Sequence, residues 1–337
     1  MFLRELVISG RTIKSHRISF SSLISFSLVL VCACASMVGA NRQALGSQEP
    51  PRQHAPIVGD WVELTALHVS VYDRDGKLVD GLQREAFDIF EDGARQKIAM
   101  FSHEDEPATV GLLIDTSGSM TSKIHAATEG VRRFIQVSNP KNNFFAASFG
   151  EHVERIATRE ELDAFLTKPA TSGRTAMLDA LYLGLVELQS TRNSRKALLI
   201  ISDGEDNHSR YNHNELRKLA KESGVPIYGL ILVGQSFGAT QEESSNEPEF
   251  LADLCKLSGG KLVQAKALSE VPNLAAEIGI ALKKQYLVGY YPTNGISGPV
   301  DAHWRKIEVK VQSKGERGPL KIYAPTGYFR SADGNIL

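Results

Sequence analysis

Three short stretches of this 337-residue chain carry oxygen-bearing side chains of the kind that hold a hard cation. The first is Asp115-Thr116-Ser117-Gly118-Ser119, a D-x-S-x-S turn that directly follows an apolar run and precedes a helical pattern. The second is Thr175, behind the loop Ser172-Gly173-Arg174, where the spacing predicts the start of another helix. The third is Asp203-Gly204, immediately after an apolar run that ends at Ser202. A carboxylate and two hydroxyls at alternate positions of a turn can point at one centre. Oxygen-only donors suit Mg²⁺ or Mn²⁺, ions that favour octahedral geometry and keep several waters. Taken singly, each piece reads as a turn or a helix cap. Five such positions in order, each at the end of an expected element, make a metal site the stronger reading. Arg174 and Glu205 flank these residues and are candidates for ligand contact, although an exposed loop residue is the simpler account of each.

A centre of this kind needs rigid elements behind it. Val110–Ile114, Ala197–Ile201 and Ile227–Val233 are nearly continuous apolar runs, as expected for strands buried on both faces. Between them Ile124, Ala127, Val131 and Phe134 keep helical spacing, as do Leu178, Leu181, Leu185 and Leu188. Strands alternating with helices predict an α/β fold with a doubly wound, mostly parallel sheet. If the strand ending at Asp115 neighbours the one ending at Ser202, the candidate ligands meet at the carboxyl edge of that sheet, at a topological switch point. On either side the pattern changes to period two, with Leu67, Val69 and Val71 before the α/β segment and Ile307, Val309 and Val311 after it. Asp75-Gly76 and Asp92-Gly93 lie between such runs and predict tight turns. Neither flank has strands enough to close a core alone. The expected organisation is therefore a small β-sandwich made from residues 57–108 and 285–337, with an α/β domain at 109–284 inserted between its halves.

Asp115-x-Ser117-x-Ser119 with Thr175 and Asp203 resembles the metal-ion-dependent adhesion site of the von Willebrand factor type A family. The resemblance implies a Rossmann-like fold over about Thr109 to Lys284. It also implies Ser117 and Ser119 as direct ligands, Thr175 as a direct or water-mediated one, and Asp115 and Asp203 acting through water and hydrogen bonds. In the flanks, Val79-x-Gly81-Leu82, Phe87, Glu91-Asp92-Gly93, Gly289-Tyr290-Tyr291-Pro292 and Thr326-Gly327-Tyr328 resemble a bacterial subgroup described from acidobacterial proteins.

The amino terminus and the charge bound the function further. Arg4, Arg11, Lys14 and Arg17 precede an apolar run that ends in Val38-Gly39-Ala40, the pattern of a secretory signal peptide cut after Ala40. Two alternatives are a lipidated Cys34 and an uncut membrane anchor. Residues 41–56 read as a polar linker. Without residues 1–40 the chain holds 34 basic and 38 acidic side chains, a balance that argues against a nucleic-acid partner. Cleavage leaves Cys255 as the sole cysteine, a small core residue in an apolar-periodic stretch, so no disulfide framework is expected.

Other candidate sites are weaker. Asp73-x-Asp75-Gly76 lacks the later ligands of a calcium loop, and His208 with His213 reads as an exposed pair before it reads as a zinc site. Pro140 interrupts Ser138-x-x-Lys141, whose companion acyltransferase motifs do not occur.

The leading expectation is an exported, non-enzymatic module, periplasmic or secreted, that grips an exposed Asp or Glu of a protein partner through the ion. The loop Gln235–Glu249 and Arg174 would shape its selectivity. The alternatives are a metal-dependent hydrolase and a structural subunit of an envelope complex.

Overall fold

The computed structural model describes residues 64–232, 247–293, 304–312 and 318–329. The expected signal segment and linker, and most of the loop 235–249, lie outside these residues. The amino-terminal flank forms β1 (Thr65–Tyr72), β2 (Phe87–Glu91), β3 (Ala94–Gln96) and β4 (Ile98–Ser102). There follow β5 (Thr109–Asp115), α1 (Ile124–Val137), β6 (Asn143–Phe149), β7 (Val153–Ile156), α2 (Arg159–Thr167), α3 (Met177–Ser190), β8 (Lys196–Ser202) and α4 (His213–Ser223). The central unit continues through β9 (Ile227–Leu232), α5 (Glu247–Ser258), β10 (Leu262–Ala265) and α6 (Val271–Lys283). The carboxyl-terminal flank contributes β11 (Tyr286–Tyr290), β12 (Trp304–Val311), β13 (Lys321–Tyr323) and β14 (Gly327–Phe329).

The central sheet has the order β10-β9-β8-β5-β6-β7. All its pairings are parallel except that of β7 on β6. Alternate residues of β5 and β8 face opposite layers. Val110, Leu112, Ile114, Leu199 and Ile201 pack with α1, α2 and α6, whereas Leu113, Leu198 and Ile200 pack with α3, α4 and α5. Burial on both faces is what the uninterrupted apolar runs require. From β5 the chain crosses through α1 to β6 on one side, and β8 lies on the other side of β5, so the strand order reverses between β5 and β8 while the strands stay parallel.

Strands from both flanks share two further sheets, ordered β13-β1-β11-β4 and β14-β12-β2-β3. Thr65–Val69 pairs with Tyr286–Tyr290, and Phe87–Glu91 with Ile307–Val311, each across about two hundred residues of sequence. The inward faces meet in one core of Leu67, Val69, Val71, Phe87, Ile89, Tyr286, Val288, Tyr290, Ile307 and Tyr328. Glu91 points into this core and accepts hydrogen bonds from the Tyr290 hydroxyl at 2.7 Å and the Tyr328 hydroxyl at 3.0 Å. The α/β domain is thus inserted in a sandwich built from both ends of the chain. Asp92 and Gly93 both take positive φ, 49° and 83°, which makes the tight connection between β2 and β3. Among the described residues no helix is long and apolar enough to cross a membrane.

Candidate metal centre

Because β5 pairs with β8 on one side and β6 on the other, Asp115 ends its strand between Ser202 and Phe149. Its side chain is fully buried. One carboxylate oxygen accepts the backbone N–H of Ser117 at 2.9 Å and the other accepts the Ser202 hydroxyl at 2.6 Å. The same Ser202 oxygen accepts the N–H of Gly204 at 3.0 Å. Ser202 thereby ties the D-x-S-x-S turn to the Asp203 turn, where Gly204 takes a φ of +85° that a side chain would oppose. Burial pushes the Asp115 carboxyl up to about 6, against the pull of the bonds from Ser117 and Ser202, and the nearby Asp203 charge adds to the rise.

Ser117 is buried, and Ser119 is exposed on a single 3₁₀ turn, Gly118–Met120, anchored from below by the fully buried Met120. The two serine hydroxyl oxygens are 3.1 Å apart. Oxygens at adjacent corners of an octahedron around Mg²⁺ are separated by about 2.9 Å, from metal–oxygen distances of roughly 2.0–2.1 Å. The hydroxyl pair therefore fits one edge of such a shell.

Thr175 is buried in the loop before α3, which begins at Met177 and so starts two residues later than the sequence pattern suggests. Its carbonyl accepts the N–H groups of Asn207 and His208 at 3.0 and 2.9 Å, while its own N–H donates to the Asn207 side chain at 2.9 Å. The Gly118 N–H donates to the Gly173 carbonyl at 3.0 Å, and the Ser172 N–H to the Thr116 carbonyl at 2.9 Å. Backbone bonds thus stitch together the three loops that carry all five candidate ligands.

Arg174 and Glu205 are exposed at the rim. Arg174 reaches His208 at 3.5 Å, and the Glu205 N–H lies 3.5 Å from Asp203. Pro248, at the start of α5, lies against Gly204, so the end of the loop 235–249 that is described abuts the Asp203 turn.

Several residues of this neighbourhood have roles that no local sequence signal shows. Lys123 extends its ammonium to Asp203 at 2.8 Å, with both side chains largely withdrawn from solvent. Asp206 caps the start of α3 by accepting the Leu178 N–H at 2.8 Å, and buried Asp179 accepts the N–H groups of Arg210 and Tyr211 at 2.8 and 3.1 Å. The sequence marks Asp203 by its D-G turn and Asp206 only as a further negative charge beside Glu205, and the roles of Lys123 and Asp179 are hidden because their partners lie in distant loops.

The alternative sites dissolve in the structure. His213 bonds Glu247 at 2.9 Å and stacks on Phe250, and His208 faces Arg174 and Glu151. Among the described residues no three His, Cys, Asp or Glu side chains group as metal ligands, and the D-x-S-x-S donor set escapes that pattern because hydroxyls supply much of it. Asp73 accepts the N–H groups of Asp75 and Lys77 within its own turn. Ser138 donates to the Phe134 carbonyl at the end of α1. Cys255 is buried, and burial pushes its thiol up to about 12, far from a nucleophile's range.

Comparison with known proteins bears on the same segment. The family model of the von Willebrand factor type A domain matches residues 110–205, which include all five candidate ligands. A search of curated proteins finds no match. Among solved structures, a von Willebrand factor type A protein from Catenulispora acidiphila is similar, with 12% identity, a TM-score of 0.44 and coverage of 78% of this chain and 72% of that one. The BatB protein of Bacteroides thetaiotaomicron aligns at 18% identity and a TM-score of 0.39, over 52% of this chain and 99% of its own. The PilB minor pilin of Streptococcus sanguinis aligns at 15% identity and a TM-score of 0.39, over 54% and 63%. The matched segment lies within the α/β unit, whose mostly parallel sheet and flanking helices fit the von Willebrand factor type A fold.

Proposed function

We propose that this protein is an exported binding module whose type A domain holds Mg²⁺ or Mn²⁺ and presents it to an Asp or Glu of a partner protein. The observation that carries the reading is the Ser117–Ser119 hydroxyl pair, 3.1 Å apart on a turn fixed by a buried carboxylate at the sheet's switch point. Ser117 and Ser119 would hold the ion directly and Thr175 directly or through water, with Asp115 and Asp203 acting through water. The bound ion would supply a positive centre for a carboxylate. Asp115 and Asp203 are already engaged by Ser117 and Ser202 and by Lys123, which favours recognition over acid–base catalysis. Arg174 and Glu205, exposed at the rim, would meet the partner. Export rests on the basic start, apolar run and Val38-Gly39-Ala40 of the amino terminus.

Calorimetric titration of the full chain with Mn²⁺ and Mg²⁺ tests the centre. Binding heat is expected for the wild type and its loss for Ser119→Ala, an exposed position whose truncation should change stability by less than about 0.5 kcal/mol. At an ion concentration of ~100 times the dissociation constant, linkage predicts about 2.7 kcal/mol of added stability. No heat and no shift in melting temperature would reject the metal reading. Capture from the source cells with Mg²⁺ and with chelator tests the partner, and equal recovery of the same protein in both would reject the ion bridge.

A further inference from the structure

Lys123 sits in an unusual place for a cation. It is the residue immediately before α1 and makes no capping bond with its side chain, and the positive end of a helix dipole opposes an ammonium there. No acidic residue in the first turn of α1 offsets that charge. The side chain is only 12% exposed and that of Asp203 4%, so a flexible, strongly hydrated group has given up most of its water to reach one carboxylate across 80 residues of sequence. That carboxylate belongs to the candidate metal centre. The D-x-S-x-S turn starts only eight residues earlier, and the Met120 carbonyl accepts the Lys123 N–H at 2.8 Å, which ties the backbone of Lys123 to the end of that turn.

We infer that Lys123 is a built-in counter-cation of the centre, which competes with the divalent ion for Asp203 and so sets how tightly the ion is held. This rests on the metal reading above. With Asp115 and Asp203 as its two carboxylates, the centre carries two negative charges, and the ammonium cancels one of them before any ion arrives. An incoming divalent ion must share Asp203 with the ammonium or displace it. Either route weakens its binding relative to a centre without the lysine, because like charges repel most where water is scarce. The outcome is an ion that exchanges readily, with occupancy that follows its concentration.

The test is calorimetric titration of the full chain with Mn²⁺ in the wild type, Lys123→Met and Lys123→Arg, with Lys123→Gln as the second charge-free variant should Lys123→Met fold poorly. Circular dichroism checks the fold of each. The charge-free variants should bind at least ~10-fold more tightly, about 1.4 kcal/mol. Lys123→Arg should stay near the wild type. Measurable binding that is equal or weaker in both charge-free variants overturns the role of Lys123 and leaves the metal centre standing. Absence of binding in every variant overturns both.

Discussion

Ser202 is the residue on which the two halves of the candidate centre depend. Its hydroxyl donates to the buried Asp115 carboxylate at 2.6 Å and accepts from Gly204 at 3.0 Å, so one side chain orients both turns. Ser202→Ala removes a donor from a buried charge and an acceptor from a backbone N–H. Its expected cost is about 1–3 kcal/mol, read as a lower urea midpoint with an unchanged slope. A loss below about 0.5 kcal/mol would mean that water replaces the hydroxyl, and Ser202 would not be the tie described. Ser119→Ala is the opposite case, with a large effect on the ion and a small one on the fold. The D-x-S-x-S residues and Asp203 announce themselves because their spacing is local. Ser202 and Lys123 do not, since a serine ending a strand and a lysine before a helix become meaningful only once β5 lies beside β8.

At the scale of elements, the segment after the Asp203 turn is fixed at its far end by α4. Asn212 accepts the N–H groups of Asn214 and Glu215 at 3.0 and 3.2 Å, and Glu215 returns the bond to the Asn212 N–H at 2.9 Å. This reciprocal cap satisfies donors that the first turn leaves open. Asn212→Ala should lower stability by about 1 kcal/mol in thermal or chemical unfolding. A change of only a few tenths would show that tertiary contacts, not the cap, fix this end. The capping pair is visible in the sequence, yet α4 itself is poorly legible there. It buries only Leu216, Leu219 and Ala220, too narrow a stripe to stand out among the charged residues around it. Helix α1, with six buried positions on one face, is legible for the converse reason.

Across the whole molecule, the α/β unit and the sandwich meet around Arg195. Its guanidinium donates to the Glu106 carbonyl at 2.6 Å, to the Leu282 carbonyl and to the Gln285 side chain at 3.3 Å, binding both covalent crossings between the two parts. His68 on β1 is held nearby. Burial first, and then the Arg195 charge, lower its pKa from 6.5 to about 4. Between those values the folded chain binds fewer protons than the unfolded one. Stability contributed by the neutral ring is therefore full above pH 6.5 and is lost as pH falls towards 4. The loss reaches about 3 kcal/mol at most, at 1.36 kcal/mol per unit. His68→Gln should lose less stability than the wild type between about pH 7 and pH 4.5 in urea unfolding. Identical losses would show that His68 is not held neutral.

The sequence by itself determined the elements whose signals are local and repetitive. Unbroken apolar runs gave β5, β8 and β9, helical spacing gave α1 and α3, and alternation gave β1 and β12. The five oxygen-bearing positions at the ends of those elements were legible for the same reason. Strand β6, Asn143–Phe149, was less so, because its first residues are partly exposed and the apolar run is short. Tertiary structure alone decided which strands are neighbours. Nothing local states that β5 lies between β8 and β6, or that Thr65–Val69 pairs with Tyr286–Tyr290. Such pairings are set by burying whole faces at once, a property of the folded chain and not of any segment. The contacts that depend on them, Ser202 on Asp115, Lys123 on Asp203 and Tyr290 on Glu91, could be seen only there.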